Sequence, residues 1–160
     1  MVTTALAVLG TLLGATVTGV FPHLAAGRTE RTAARARAGQ DALDAVADLA
    51  AADSAHRRAL WLRGEAKCSG AGTETGTGPR AAGLRAASSA TRLAVKRPYA
   101  RVRLPLPHPR VKAAADAMIT ATYGMRKAAT LRERETAQER ARAAHDRFVD
   151  TAAEFFGTGL

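Results

Sequence analysis

Any chemistry in this chain would have to come from four histidines, one cysteine and the ion pairs its helices bring together. His23, His56, His108 and His145 include no two at i, i+3 or i+4, and none combines with Cys68 and carboxylates in a metal-binding spacing. They read as surface or helix-face residues rather than ligands. Cys68 is the single cysteine, which excludes an intramolecular disulfide and leaves no cysteine framework for zinc. It opens a glycine-rich stretch where a nucleophile has no rigid surroundings. Ser88 and Ser89 sit in no G-x-S-x-G pattern. Asp53 and Arg57 stand at i, i+4 with the acid first, the favourable order for a within-helix tie worth roughly a few tenths of a kcal/mol when exposed. The expectation is a protein that is not an enzyme, with no catalytic residues, metal ligands or cofactor.

Anion binding is better supported. The net charge is +10, and it is unevenly placed. Between Arg80 and Lys112 stand Arg80, Arg85, Arg92, Lys96, Arg97, Arg101, Arg103, Arg110 and Lys112 with no acid among them, whereas Asp41 to Asp53 carries four acids and no base. A basic patch seeks phosphate, either in anionic lipid headgroups or in DNA or RNA. Tyr99 is the one aromatic ring inside the patch and no DNA-reading motif accompanies it, which favours lipid.

The elements that must position this patch begin with an anchor. The first 27 residues contain no Asp, Glu, Lys or Arg, and a helix over Val2 to Phe21 would cover roughly the 30 Å of a bilayer's hydrocarbon core. A cleaved signal peptide is the competing reading; it lacks the usual basic residue before the apolar core, and Pro22, His23 and Leu24 replace a small-residue cleavage site. Arg28, Arg31, Arg35 and Arg37 follow against a single Glu30, so the positive-inside bias puts the amino terminus outside and residues 28–160 in the cytoplasm of a single-pass cell-membrane protein. Gly10, Gly14 and Thr18 recur at i, i+4 and i+8, a spacing that would let two spans approach closely and self-associate.

The rest of the chain reads as all-α, an antiparallel bundle of three to four long helices. One or two helices run through 28–67, interrupted only by Gly39 and Gly64, with Leu43, Val46, Ala50 and Trp61 in one sector and Asp41, Asp44 and Asp48 opposite. Residues 68–79, CSGAGTETGTGP, form a flexible loop that fits no phosphate-cradling glycine pattern. The next helix spans about 80–97 and stops before Pro98; Leu84, Ser88, Thr91 and Val95 make its buried stripe. A proline-rich connection follows over 98–109. From 111 to about 156, Val111, Ala115, Met118, Thr122, Met125 and Ala129 form one seam. Ala137, Ala141, Ala144, Phe148, Ala152 and Phe155 form another, out of phase by roughly 100° at the helical repeat. Either the helix breaks near Thr130 or its two halves face different partners. Alanine makes up 39 of the 160 residues, so the core is thin and self-association is expected.

Three blocks carry a family resemblance: VLGTLLGATVTGVF followed by an arginine-rich helix, HRRALWLRGEAKCSG with Trp61 as its most distinctive residue, and SSATRLAVKRP. Together they resemble the KilB-type proteins of actinobacterial conjugative plasmids and related integrated elements. The resemblance implies a membrane-associated accessory role in plasmid transfer or spread, harmful when unregulated, and brings no catalytic motif. The functional expectation is therefore a membrane-anchored scaffold that self-associates and recruits an as yet unidentified protein partner. A tethered nucleic-acid-binding protein is the first alternative, and a membrane-active, toxin-like span over Val2 to Phe21 the second.

Overall fold

The structure, a computed structural model, describes residues 2–68, 78–103 and 108–157, with side chains from Thr29 onward except that of Cys68. The described chain is all α-helical: α1 (Val2–Cys68), α2 (Pro79–Arg103), α3 (Pro109–Gly124), a single 3-10 turn (Met125–Lys127) and α4 (Leu131–Gly157), with no strand among the described residues. Two compact units divide it, Met1–Gln40 and Asp41–Leu160. In the first, residues 29–38 are exposed, Arg31, Arg35 and Arg37 among them. The expected membrane span over 1–27 and its Gly10, Gly14 and Thr18 face lie outside the residues whose side chains are described. Among the described residues no helix is long and apolar enough to cross a membrane.

The second unit is a four-helix bundle whose register can be read from its cross-helix contacts. Asp48 meets Arg101, His56 meets Thr91 and Arg63 meets Ser88, so α1 and α2 run antiparallel. Tyr99 on Asp116 and Arg92 over Tyr123 make α2 and α3 antiparallel in turn. Asp53 beside His145 and Arg57 on Ala141 do the same for α1 and α4. The core draws on all four helices: Ala45, Val46 and Leu49; Val95 and Val102; Val111, Ala115, Met118 and Ile119; Ala144, Phe148 and Ala152. A smaller cluster of Leu60, Met125 and Ala141 lies beside Trp61. Alanine at so many of these positions lets the helix backbones approach closely, at the expense of apolar area buried per residue.

Several expectations are corrected. Of the one or two helices expected over 28–67 there is one, and Gly39 and Gly64 lie within α1. Its buried line is Ala45, Val46, Leu49, Asp53, His56, Leu60 and Gly64, rotated from the expected sector so that Leu43 is exposed. The rotation places two polar residues inside because partners on α2, α3 and α4 meet them there.

Helix α2 does not stop before Pro98 but carries it in its interior, buried, and continues to Arg103. A helix-interior proline forfeits one backbone hydrogen bond and crowds the carbonyl four residues back. Here that residue, Ala94, is exposed, where water can satisfy the carbonyl, while the ring fills the core between Val95 and Val102. Tyr99 and Arg101 then hold the far end of the helix to α3 and α1. The expected proline-rich connection over 98–109 accordingly shrinks: 104–107 lie outside the described residues and Pro109 is already the first residue of α3, which suits its fixed φ. Of the expected loop over 68–79, Cys68 belongs to α1 and Pro79 to α2, and 69–77 lie outside the described residues.

The segment from 111 to 156 is two helices. Thr130 starts α4 with a reciprocal cap: its hydroxyl accepts from the Glu133 amide at 3.2 Å, and Glu133 Oε2 accepts from the Ala129 and Thr130 amides at 2.8 and 3.2 Å. Those bonds hold the Glu133 carboxyl below its ordinary pKa, the Ala129 amide contributing most. The two seams can then each face the core, and Val111, Ala115, Met118, Thr122, Met125, Ala141, Ala144, Phe148 and Ala152 are all buried. Ala129, expected in the first seam, is exposed just ahead of the cap. Phe155 lies tilted against His108, ring centroids 4.6 Å apart, and meets Phe156 edge-on at 5.0 Å, closing the far end of the core.

Candidate functional site

Helix α2 displays seven of the nine nominated cations and α3 the other two. At 100° per residue Arg85, Arg92, Lys96 and Arg103 share one stripe, beside the buried line of Ser88, Val95, Pro98 and Val102, while Arg97 and Arg101 flank the other side. Arg80, Arg85, Arg92, Lys96, Arg97, Arg103 and Arg110 are exposed; Arg101 and Lys112 are half-buried. The acid-free character of the stretch does not survive folding. Arg101 Nη1 lies 2.9 Å from Asp48 Oδ2 on α1, and Arg103 Nε lies 3.8 Å from Asp116 Oδ1 on α3. Arg103 also covers the Tyr99 ring and Arg92 the Tyr123 ring, at 5.6 and 5.9 Å from their centroids. Exposed pairs of this kind contribute about 0–1 kcal/mol, but they hold the guanidinium groups in defined directions. The Tyr99 hydroxyl donates to Asp116 Oδ1 at 2.5 Å; burial and then that bond push its phenol above the ordinary value.

A buried polar cluster stands between α1, α2, α3 and α4. The expected within-helix tie of Asp53 to Arg57 is present, and Asp53 is 0% exposed, so the energy of an exposed pair does not apply to it. Its Oδ2 lies 3.8 Å from Arg57 Nε and 3.5 Å from His145 Nδ1. Arg57 also donates to the Ala141 carbonyl at 3.2 Å and to the Ser54 hydroxyl at 3.1 Å, strapping α1 to α4. Burial pushes the Asp53 carboxyl above its ordinary pKa, with the Thr122 hydroxyl, Arg57 and His145 opposing the shift. Neither the Asp53 oxygens nor the Thr122 hydroxyl makes a hydrogen bond of full geometry.

One helical turn on, His56 Nδ1 lies 3.0 Å from Thr91 Oγ1, and its ring meets Tyr123 edge-on at 5.6 Å. The Thr91 hydroxyl donates to the Ala87 carbonyl at 3.0 Å, so its oxygen accepts from His56, which places the imidazole proton on Nδ1 and leaves Nε2 buried without a partner. Burial, then Arg92 and Arg126, lower the His56 pKa and keep it neutral. The hydroxyl nearest a histidine is thus engaged with backbone and not aimed at a base. Among the described residues no group of histidine, cysteine and carboxylate side chains could hold a metal ion.

Sequence reasoning missed this cluster as a unit because its members lie on separate helices. The available signal was Asp53, His56, Leu60 and Gly64 continuing the spacing of Val46 and Leu49, a polar interruption of an otherwise apolar line.

Comparison with known proteins bears on the whole chain. The family model described as KilB plasmid transfer protein matches residues 43–156, which takes in nearly all of the four-helix unit. The chain is similar to Protein KilB of Streptomyces lividans, with 40% identity over 157 residues, covering 98% of this chain and 99% of that protein. No solved structure matches it.

Proposed function

The chain belongs to the KilB plasmid transfer protein family, and on that premise we propose that it is a non-enzymatic accessory protein of plasmid transfer or spread. Residues 1–27 tether it to the cell membrane as a single span, amino terminus outside, and self-association runs through the Gly10, Gly14 and Thr18 face. The four-helix unit lies on the cytoplasmic side and docks on anionic lipid through α2. The observation that carries this reading is the α2 stripe of Arg85, Arg92, Lys96 and Arg103, exposed along a helix whose adjoining face is built into the core. Juxtamembrane basic residues contribute about 1 kcal/mol each at an anionic leaflet.

The test replaces Arg85, Arg92 and Lys96 together by glutamine in the full chain. Membrane fractionation, sedimentation with anionic vesicles and plasmid transfer between mating cells are then measured. The variant should stay in the membrane fraction through residues 1–27, lose transfer and, once solubilised, bind anionic vesicles more weakly than the wild type. Unchanged transfer and unchanged vesicle binding would sink the lipid reading.

The same stripe supports a second reading, nucleic-acid binding, because Arg92 and Arg103 are held over aromatic rings beside a basic helix face. Retention on DNA that falls steeply with salt, without retention on anionic vesicles, would favour it.

A further inference from the structure

At the opposite end of the bundle from the His108, Phe155 and Phe156 contacts there is a pocket of about 140 Å³. It is lined by Leu60, Arg63, Gly64 and Lys67 at the end of α1, by Met125, Arg126 and Ala128 in and after the 3-10 turn, and by Arg134 on α4. Every charged lining residue is a cation, and none belongs to the α2 stripe. Arg134 is 5% exposed, and its Nη1 is buried with no hydrogen-bond partner. Enclosing a guanidinium without a counter-charge is costly, and an arriving anion removes that cost.

The pocket is also shaped around this side chain. A Cβ on Gly64 would stand 2.6 Å from Arg134 Cζ and Nε, so a side chain at this position would push the guanidinium out of its present seat. Arg63 is directed separately, its Nη1 donating to Ser88 Oγ at 3.3 Å. Buried Leu60 and Met125 supply an apolar wall that strengthens any charge interaction inside.

We propose that this pocket binds a single phosphate monoester group. Arginine's planar fork matches phosphate oxygens two at a time, lysine adds a mobile point charge, and four cations suit a compact dianion better than a monovalent carboxylate. The small volume admits one such group rather than a run of nucleotides. A free phosphate and the headgroup of a phosphatidic-acid-type lipid present the same chemistry. The site is independent of the α2 stripe, so either can fail without the other.

The test uses the full chain in mild detergent. Inorganic phosphate is titrated by calorimetry at constant ionic strength, and phosphatidylcholine vesicles carrying phosphatidic acid are compared with vesicles carrying phosphatidylglycerol at equal charge. Wild-type protein should bind inorganic phosphate or prefer the phosphatidic acid vesicles; the first result alone assigns a free phosphate, the second a lipid headgroup. Arg134→Gln should weaken binding about tenfold or more, the loss expected for charge-assisted hydrogen bonds. Gly64→Ala, which keeps every charge, should match it by displacing the guanidinium, and it decides the matter should Arg134→Gln fail to fold. Arg142→Gln should change affinity by less than about twofold, since an exposed charge outside both the pocket and the Arg80–Lys112 patch contributes little. Binding of neither probe, or Gly64→Ala binding as well as wild type, overturns the proposal.

Discussion

Arg57→Met tests whether the Asp53 cluster holds the bundle together. The substitution keeps much of the side-chain volume while removing the guanidinium that stands 3.8 Å from Asp53 and bonds the Ala141 carbonyl and Ser54 hydroxyl. A charged hydrogen bond such as that to Ala141 contributes about 1.5–3 kcal/mol. Asp53, fully buried, is left with His145 as its only remaining ion partner within salt-bridge distance among the described residues. Breaking a buried pair in this way costs about 3–5 kcal/mol. The Asp41–Leu160 unit has about 120 residues, and unfolding entropy runs near 2.1 cal/mol/K per residue, so the expected loss is about 12–20 °C in Tm. Asp53→Asn removes the charge that Arg57 answers, so the double variant should lose less than the sum of the two, with a coupling of about 0.5–3 kcal/mol. The Asp53 carboxyl is already raised by burial, so the stability it contributes is present while it is protonated and is lost as pH rises through its folded-state pKa. The Arg57→Met deficit should therefore deepen with rising pH. Thermal and urea unfolding of the full chain in mild detergent, followed by far-UV circular dichroism for the four proteins at several pH values, gives all these quantities. Strictly additive losses, or an Arg57→Met loss under about 1 kcal/mol, would show a pair no stronger than a surface tie and refute the reasoning.

Three further perturbations bear on the bundle. Phe148→Ala removes a fully buried aromatic side chain that neighbouring alanines cannot collapse to replace, and should lower stability by about 3–5 kcal/mol in urea unfolding with an unchanged m-value. Thr130→Ala breaks the reciprocal cap at the start of α4 and should cost about 1 kcal/mol, with amide exchange rising first at Leu131 to Glu133. His56 has a lowered folded-state pKa, so its contribution is intact above the unfolded value of about 6.5 and lost as pH falls below it. The urea midpoint should accordingly drop more between about pH 7.5 and 5.5 for the wild type than for His56→Gln, and equal slopes would mean that His56 is not held neutral.

Local pattern made much of this protein legible before folding was considered. The all-α class, the seam from Val111 to Met125, the second seam from Ala137 to Phe155 and the separation of Asp41, Asp44 and Asp48 from the core follow from periodicity, which each helix expresses by itself. The break before α4 was also available, since Thr130 and Glu133 have the T-x-x-E spacing of a capping box. KilB membership was legible too, because blocks such as that around Trp61 are contiguous in the chain.

Tertiary structure decided what depends on the register between helices. Pro98 stays inside α2 because its ring is buried and the carbonyl it deprives belongs to exposed Ala94. Arg101 and Arg103, in a stretch without acids, find Asp48 and Asp116 on other helices. Asp53 became a buried residue only when α4 brought His145 and the Ala141 carbonyl against it and Arg57. Arg63, Lys67, Arg126 and Arg134 line one pocket although they are far apart in sequence, because Gly64 leaves room for a guanidinium from α4. A sequence lists charges along a line, whereas their energies depend on distance and burial, and those are set when the helices pack.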